Sequence, residues 1–259
     1  MSLRACRRAV VLAFVLLKCI VRFWLLRLSG PRTLERRAGW LQKTCVEVLW
    51  SLEIDLSVEG QAPREGLVVS NHLSYLDIVI LSAAMPCFFV SKSEVDKWPF
   101  FGRAARSGGT LFIDRSSVAS AGKVAAMISG RLKLLVPVLF FPEGTSTDGT
   151  SVLRFHSRLF EPAIVAGAPI TAASVRYVIE DGTPEREICW YGDDTFGCHM
   201  VKTLNSAPIS AIVRFGEPLV YANRRVAAHR THDEVAAMRG HGAGVERGSA
   251  LTAPLCPID

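Results

Sequence analysis

The segment 66–77, GLVVSNHLSYLD, passes from an apolar run to polar residues and then to a helical pattern. The short, valine-rich run at its start predicts a buried strand. Polar residues follow at once, as they do where a chain leaves the carboxyl end of a strand in an α/β sheet and forms a site. This segment therefore predicts both a fold class and the position of a site.

Short β-rich runs and helical stretches alternate along the chain from residue 52 onward. This repetition predicts an α/β fold with a largely parallel central sheet flanked by helices. The predicted strands are 52–58, 66–70, 88–91, 110–113, 134–140, 170–177, 187–191 and 211–215. The predicted helices are 74–85, 116–129, 155–166, 195–204 and a short one at 233–239.

Composition divides the chain into three parts. We expect membrane-anchoring helices in residues 1–51, a catalytic domain in 52–228, and a short helix with a loose tail in 229–259. With 49% hydrophobic and 21% charged residues and a mean hydropathy of +0.27, the chain has the apolar content of one substantial core. An intrinsically disordered protein is excluded.

The basic charge is concentrated near the N-terminus. Residues 1–43 contain ten Lys or Arg and a single acid, Glu35, whereas the rest of the chain contains 20 basic and 23 acidic side chains. A nucleic-acid-binding protein more often spreads basic patches over its folded body, and a basic segment joined to an apolar run favours an anionic membrane surface. We therefore expect a membrane partner and no nucleic acid.

An apolar stretch begins at residues 9–17, AVVLAFVLL, and resumes after Lys18 as far as residue 26. Nine residues cannot span a bilayer, which needs about 20, and the longer stretch would place Lys18 and Arg22 at membrane depth at roughly 2.5–3.5 kcal/mol each. On a helical wheel one arc is basic, formed by Arg4, Arg7, Arg8, Lys18 and Arg22. This pattern is typical of an interfacial helix whose basic side chains reach lipid phosphates.

A cleaved signal peptide and an ordinary core helix are the alternatives for this segment. No small-residue cleavage site follows the apolar run, and Arg22 and Arg27 stand where that site would be. A second amphipathic helix over about 32–51 would complete the attachment, with interfacial aromatics at Trp24, Trp40 and Trp50. The predicted location is the cytoplasmic face of the cell membrane.

His72 and Asp77 are the candidate catalytic pair. Five residues along one helix would separate them by about 140°, so they can meet only across a turn, with Asp77 in the first turns of the following helix. There the carboxylate would fix the tautomer of the histidine and stabilise its charged form. Taken alone, His72 is equally well explained as a residue that satisfies the turn.

Two other strand exits carry polar residues. Residues 141–146, FPEGTS, can present N–H groups and hydroxyls to a phosphate, and Gly144 allows close approach. Arg115 follows the β-rich run at 110–113, where a guanidinium can grip a phosphate through two hydrogen bonds. A capped loop and a solvated arginine are the structural alternatives.

Together these segments resemble four ordered motifs of the glycerophospholipid acyltransferase family. NHLSYLD (71–77) is similar to the first motif, 109–115 to the second, FPEGTS to the third and VAGAPI (165–170) to the fourth. Residues 91–94, SKSE, resemble the segment before the second motif. The resemblance covers about residues 52–220, and FHSR (155–158) departs from the commoner basic-then-glycine pattern after the third motif.

The resemblance implies acyl transfer from acyl-CoA or acyl carrier protein to the free hydroxyl of a lysophospholipid acceptor, 1-acylglycerol-3-phosphate, giving phosphatidic acid. His72 would be the general base, and Asp77 would orient it. Glu143 would either hydrogen-bond a glycerol hydroxyl or position Arg115. The implied residues for binding the acceptor and its phosphate are Arg115, Glu143, Gly144, Thr145, Ser146 and Lys92.

This chemistry exchanges a thioester for an ester, so we expect no metal and no cofactor. The seven cysteines contain no CxxC pair, which predicts free thiols in a reducing compartment. An acyltransferase for another lysolipid, such as lyso-ornithine lipid, is the first alternative. A thioester hydrolase is disfavoured by the predicted phosphate site, and a silent lipid-binding protein is disfavoured by the intact His72–Asp77 pair.

Overall fold

The structure is a computed structural model that describes residues 2–28, 31, 33–96, 101–113 and 118–240. Its centre is a seven-stranded sheet in the order β1-β7-β6-β2-β5-β3-β4. The strands are β1 (Ile54–Glu59), β2 (Leu67–Ser70), β3 (Phe88–Lys92), β4 (Leu111–Ile113), β5 (Val138–Phe140), β6 (Ile170–Ile179) and β7 (Ile209–Phe215). Neighbouring strands are parallel except β6 and β7, so β1 and β7 run against the other five.

Helices cover both faces of this sheet. They are α1 (Leu3–Leu28), α2 (Leu34–Leu52), α3 (Leu76–Ala84), α4 (Ser93–Asp96), α5 (Phe101–Gly108), α6 (Val118–Arg131), α7 (Glu161–Ala166), α8 (Phe196–Asn205) and α9 (Arg224–Gly240). One core lies under α1, α2, α3 and α8, and a second lies under α6, α7 and α9. The predicted α/β fold with a largely parallel sheet is confirmed.

Strand β2 is buried on both faces. Val68 packs into the first core, whereas Leu67 and Val69 pack into the second, and all three are fully buried. Successive side chains of a strand point to opposite faces, so a strand covered on both sides is apolar throughout. Only beyond its end can such a strand offer polar groups to a substrate, and there the chain places Asn71 and His72.

Four predicted elements differ clearly from the structure. The helix predicted at 155–166 is a 3-10 turn, Ser157–Phe160, followed by α7, and the strand predicted at 134–140 is reduced to β5. No strand forms at 187–191, because Ile188 and Cys189 are consecutive and both pack into the same core, which the alternation of a strand forbids. Instead a 3-10 turn, Glu185–Glu187, leads into an irregular segment. The helix predicted at 233–239 is the second half of the seventeen-residue α9, which packs against β6.

Helix α1 leaves an apolar face uncovered. Phe14, Leu17 and Trp24 are each more than half exposed. The stretch Leu3–Leu26 is long and apolar enough to cross a membrane by length and composition, and little of it is buried against the rest of the protein. This helix is therefore suited to anchoring the chain to a membrane.

Arg8 of this helix faces the interior of the protein. Its side chain is 1% exposed, and Nη2 donates to Oε2 of Glu53 at 2.7 Å. Nη1 donates to the carbonyls of Leu204 at 3.2 Å and Ser206 at 2.8 Å, at the C-terminal end of α8. A cation at that end of a helix interacts favourably with the helix dipole. Arg8 thus attaches α1 to Glu53 and to the C-terminal end of α8.

The other members of the basic arc also meet groups of the protein. Arg7 pairs with Glu53, and Lys18 and Arg22 both pair with Glu47 of α2. Contact of the exposed Arg7 and Lys18 side chains with lipid phosphates remains a prediction. These ion pairs join α1 to Glu47 and Glu53, and the apolar side of the helix faces outward.

The role of Arg8 in this attachment can be tested by comparing Arg8→Ala with Arg7→Ala, which changes an exposed neighbour. Arg8→Ala leaves Glu53 and the carbonyls of α8 without a buried partner, and we expect the free energy of unfolding to fall by about 3 kcal/mol. Arg7→Ala removes a side chain that is 64% exposed and pairs with the same carboxylate. This change should lower the free energy of unfolding by less than about 1 kcal/mol. Denaturation of the full chain in detergent, followed by tryptophan fluorescence, measures both. Equal losses would contradict the role given to Arg8.

Candidate active site

The turn between β2 and α3 closes around the carboxylate of Asp77. His72 Nδ1 lies 2.7 Å from Asp77 Oδ2, and the same oxygen accepts the backbone N–H groups of Leu73 at 2.6 Å and Ser74 at 2.9 Å. Asp77 stands in the first turn of α3. The pair therefore meets across the turn, as the spacing requires.

The other oxygen of this carboxylate is also occupied. Asp77 is fully buried, and its Oδ1 accepts the hydroxyl of Tyr177 from β6. Burial, reinforced by the adjacent carboxylate, raises the pKa of Tyr177 well above its usual value, so this hydroxyl keeps its proton and acts as a donor. The carboxylate of Asp77 thus has four hydrogen-bond donors, which compensate a charge that would be costly to bury alone. They are the His72 ring, the Tyr177 hydroxyl and the N–H groups of Leu73 and Ser74.

His72 is held on its other side by an aromatic ring. The imidazole stacks on Phe141 with centroids 4.0 Å apart and planes 7° from parallel. With Nδ1 directed at Asp77, Nε2 is the ring nitrogen left to exchange a proton with a molecule in the adjoining cleft. The ring is therefore fixed in plane, orientation and tautomer.

The amide of Asn71 fixes the loop to β6. Its Nδ2 donates to the carbonyl of Val175 at 3.1 Å, and its Oδ1 accepts the N–H of Val175 at 2.9 Å. Asn71 is 1% exposed, so these bonds are protected from water. The side chain of Asn71 therefore ties the chain just beyond β2 to the backbone of β6.

Glu143 joins the loop after β5 to the loop after β2. Its Oε1 accepts the N–H of His72 at 2.7 Å, and its Oε2 accepts the N–H of Leu153 at 2.8 Å. The side chain is 4% exposed, and burial raises the pKa of Glu143 although the two amides oppose that shift. Its contacts in the structure are therefore to backbone amides of both loops, and a contact with glycerol or with Arg115 remains a prediction.

A cleft of about 460 Å³ opens beside His72. It brings together four other residues predicted for acceptor binding: Lys92 at the end of β3, and Gly144, Thr145 and Ser146 after β5. Arg115 lies outside the described residues. The apolar part of the lining includes Ile78, Phe89, Val90, Phe140, Phe141 and Leu159. A lining that combines polar groups with apolar side chains suits an amphiphilic ligand.

A second histidine supports the wall of this cleft. The Tyr75 hydroxyl donates to Nδ1 of His199 at 3.1 Å, and His199 Nε2 donates to the carbonyl of Ile188 at 3.1 Å. Burial lowers the pKa of His199 and raises the pKa of Tyr75 to about 12, so both stay neutral. Within the described part of the chain no cluster of His, Cys, Asp or Glu is arranged for a metal ion.

Comparisons with known proteins agree on one family. The acyltransferase family model matches residues 55–176. A lyso-ornithine lipid O-acyltransferase of Pseudomonas aeruginosa is 35% identical over 181 residues, which are 70% of this chain and 68% of that protein. The chain belongs to the glycerophospholipid acyltransferase family.

Other acyltransferases of this family are similar over different lengths. A 1-acyl-sn-glycerol-3-phosphate acyltransferase of Neisseria meningitidis is 38% identical over 138 residues, about half of each chain (52% and 54%). The crystal structure of the 1-acyl-sn-glycerophosphate acyltransferase of Thermotoga maritima superposes with a TM-score of 0.68 at 18% identity, covering 95% of this chain and all of that one. That likeness establishes the fold.

The fourth acyltransferase motif lies at the opposite end of the sheet from His72. The carbonyl of Pro169 accepts the N–H of Leu67, at the start of β2, at 2.9 Å. Gly66 has φ +83°, and a Cβ there would lie 2.3 Å from the Pro169 oxygen. This motif therefore sets the register between β2 and β6 and does not line the cleft.

Tyr177 is the residue of the acyltransferase site that sequence reasoning missed. It belongs to no motif segment, and 100 positions separate it from Asp77. The available signal is a hydroxyl among apolar side chains, because Val175 and Ile179 share its face of β6. A buried tyrosine at such a place needs a hydrogen-bond partner.

Glu143→Gln tests whether this carboxylate serves the loop or the substrate. Glutamine keeps one acceptor oxygen but turns an NH₂ group toward the other amide, so one bond is lost. We expect kcat to fall about tenfold, with the acceptor KM within about twofold of wild type. Glu161→Gln is the control, because the Glu161 side chain is 47% exposed and pairs with Arg224. A rise in KM alone would mean that Glu143 binds the acceptor directly.

Proposed function

We propose that this acyltransferase moves a fatty acyl group from acyl-CoA or acyl carrier protein to the free hydroxyl of 1-acylglycerol-3-phosphate, forming phosphatidic acid. The supporting observation is the composition of the cleft beside His72. Among the described residues that line it, Lys92 supplies a cation and none is an aspartate or glutamate. Such a lining suits an anionic head group next to the general base.

The acceptor hydroxyl is the nucleophile in this reaction. As its oxygen attacks the thioester carbonyl, His72 Nε2 takes its proton, and Asp77 opposes the charge that develops on the ring. The tetrahedral oxyanion then collapses, the C–S bond breaks, and the imidazolium returns the proton to the departing thiolate. An ester and a free thiol result, and no covalent bond to the enzyme is formed.

We assign stabilisation of the oxyanion to the turn after β5, in addition to its predicted part in binding the acceptor. Gly144, Thr145 and Ser146 line the same cleft as His72. The Gly144 N–H already donates to the carbonyl of Phe141, and the Ser146 hydroxyl donates to that of Trp190, so the donors we assign are the backbone N–H groups of Thr145 and Ser146. Preorganised donors of this kind are worth about 10² to 10³ in rate when they meet the developing charge. We assign the thioester carbonyl to this turn and the acyl chain to the apolar wall that includes Ile78, Phe89 and Leu159.

Lyso-ornithine lipid is the second candidate acceptor. Relatives named for that activity align over more of this chain than the Neisseria 1-acylglycerol-3-phosphate enzyme does. An ornithine head group brings an ammonium as well as a carboxylate. The described lining offers the ammonium no carboxylate partner, and Glu143 has both oxygens on amides. The charge of the cleft therefore favours the phosphate.

The exposed face of α1 supports a membrane location for this reaction. The acceptor is a lipid, and Phe14, Leu17 and Trp24 are available for insertion among acyl chains. Acyl-CoA and acyl carrier protein are cytoplasmic donors. We therefore place the catalytic domain at the cytoplasmic face of the cell membrane, held there by α1.

His72→Ala tests the chemical assignment. Loss of a positioned general base should reduce kcat by about 10² to 10⁴ while the fold and membrane attachment remain. His156→Ala is the matched control, because His156 is exposed and followed by Glu161 at the same five-residue spacing, yet it does not line the cleft. The assay follows thiol release with purified full-length enzyme in mixed micelles. More than about a tenth of wild-type activity in the His72 variant would contradict the assignment.

A lysolipid panel with the Lys92→Gln variant tests the acceptor. We expect wild-type enzyme to convert 1-acylglycerol-3-phosphate with the highest kcat/KM, and Lys92→Gln to raise the KM for that acceptor several-fold with little change in the donor KM. The panel is run once with acyl-CoA and once with acyl carrier protein as the acyl donor. A higher kcat/KM for lyso-ornithine lipid would replace the proposed acceptor, and free fatty acid released without any acceptor would indicate a hydrolase.

A further inference from the structure

One hydrogen bond at the site joins two side chains that do not contact the substrate in the proposed mechanism. Tyr177 donates its hydroxyl to Oδ1 of Asp77, the oxygen that does not face His72. Both side chains are almost fully buried, at 2% and 0% exposure. The hydroxyl therefore contacts neither the cleft nor solvent, and its effect on the reaction must pass through the carboxylate.

The backbone of Tyr177 is held in turn by an ion pair. Glu185 Oε1 accepts the N–H of Tyr177 at 2.7 Å, and Arg239 of α9 contacts the two Glu185 oxygens at 3.1 and 2.8 Å. Arg239 also donates to the carbonyls of Val175 at 2.8 Å and Gly149 at 2.6 Å. The C-terminal end of α9 thus locks the part of β6 that carries Tyr177.

We propose that Tyr177 is a positioning residue of the catalytic pair, which sets the rotation and charge distribution of Asp77, and that the Glu185–Arg239 pair holds Tyr177 in place. The proposal rests on the proposed function, because it assumes that His72 acts as the base. It adds a third member, from β6, to a pair that the first motif alone supplies.

The Tyr177 hydroxyl changes how the negative charge of Asp77 is divided between its two oxygens. A hydrogen bond at Oδ1 draws negative charge away from Oδ2, the oxygen that faces His72. Without that bond the charge concentrates on Oδ2, where it favours the protonated imidazole. A general base must be unprotonated, so the acid limb of the kcat profile moves to higher pH when the hydroxyl is removed.

Other ionisable groups surround the pair. They are Glu143 from the loop after β5, Lys92 from β3, Glu185 and Cys189 from the segment after β6, and Arg239 from α9. Burial raises the pKa of the Cys189 thiol, which stays neutral. None of these groups is altered by Tyr177→Phe, so a comparison of the two profiles isolates the hydroxyl.

Tyr177→Phe removes one oxygen and retains the ring. We expect kcat to fall about tenfold, both KM values to stay within about twofold, and the acid limb to shift upward by at least about half a pH unit. Tyr221→Phe is the control for loss of a hydroxyl, because Tyr221 packs at the edge of the other core. We expect the control to match wild type in rate and profile.

Arg239→Gln provides an independent variant if the tyrosine change disturbs folding. Removal of this cation should shift the acid limb in the same direction by a smaller amount, since Asp77 then loses a favourable positive charge nearby. Thermal unfolding of each variant separates misfolding from altered chemistry. Every profile is recorded with whichever lysolipid the wild-type enzyme prefers, so an error in the proposed acceptor leaves the comparison intact. An unshifted acid limb in folded Tyr177→Phe would overturn the proposal.

Discussion

The buried carboxylate of Asp77 is the constraint on which the site depends. A charge taken out of water is tolerated only when donors surround it, and this one receives four, from His72, Tyr177 and two amides of its own turn. Those donors come from two distant parts of the chain. The turn after β2 can therefore form only where β6 already stands beside it, so fold and site are specified together.

The strand order makes this arrangement possible. β2 lies between β6 and β5, so the turn that follows it is held from both sides. On the β6 side the Asn71 side chain bonds the backbone of Val175 and Tyr177 donates to Asp77. On the β5 side Glu143 accepts the N–H of His72 and Phe141 stacks on its ring. Because His72, the proposed general base, is held on two sides, it loses little freedom when substrate binds, which favours reaction from the bound geometry.

Sequence reasoning reached the parts of the structure that are encoded locally. The apolar runs bounded by polar residues gave the strands β2, β3 and β6, and the five-residue spacing placed His72 and Asp77 across a turn. It did not reach Tyr177, because the pairing of residues 100 positions apart depends on strand order. It also did not reach the ion pairs of the basic arc with Glu47 and Glu53, because a helical wheel shows which side chains share a face and not which residues that face contacts.

The contacts of Arg8 connect α1 to the wall of the cleft through α8. Its guanidinium meets the C-terminal carbonyls of α8, and His199 of the same helix receives the hydroxyl of Tyr75, which lines the cleft. These contacts are buried, so the cleft wall and α1 are parts of one packed unit. An acyltransferase that takes a lipid acceptor needs its opening at a fixed height and angle above the bilayer. A rigid connection through α8 would provide that geometry without any conformational signal, because the helix that we propose as the membrane anchor also packs against the wall of the cleft proposed for the lipid.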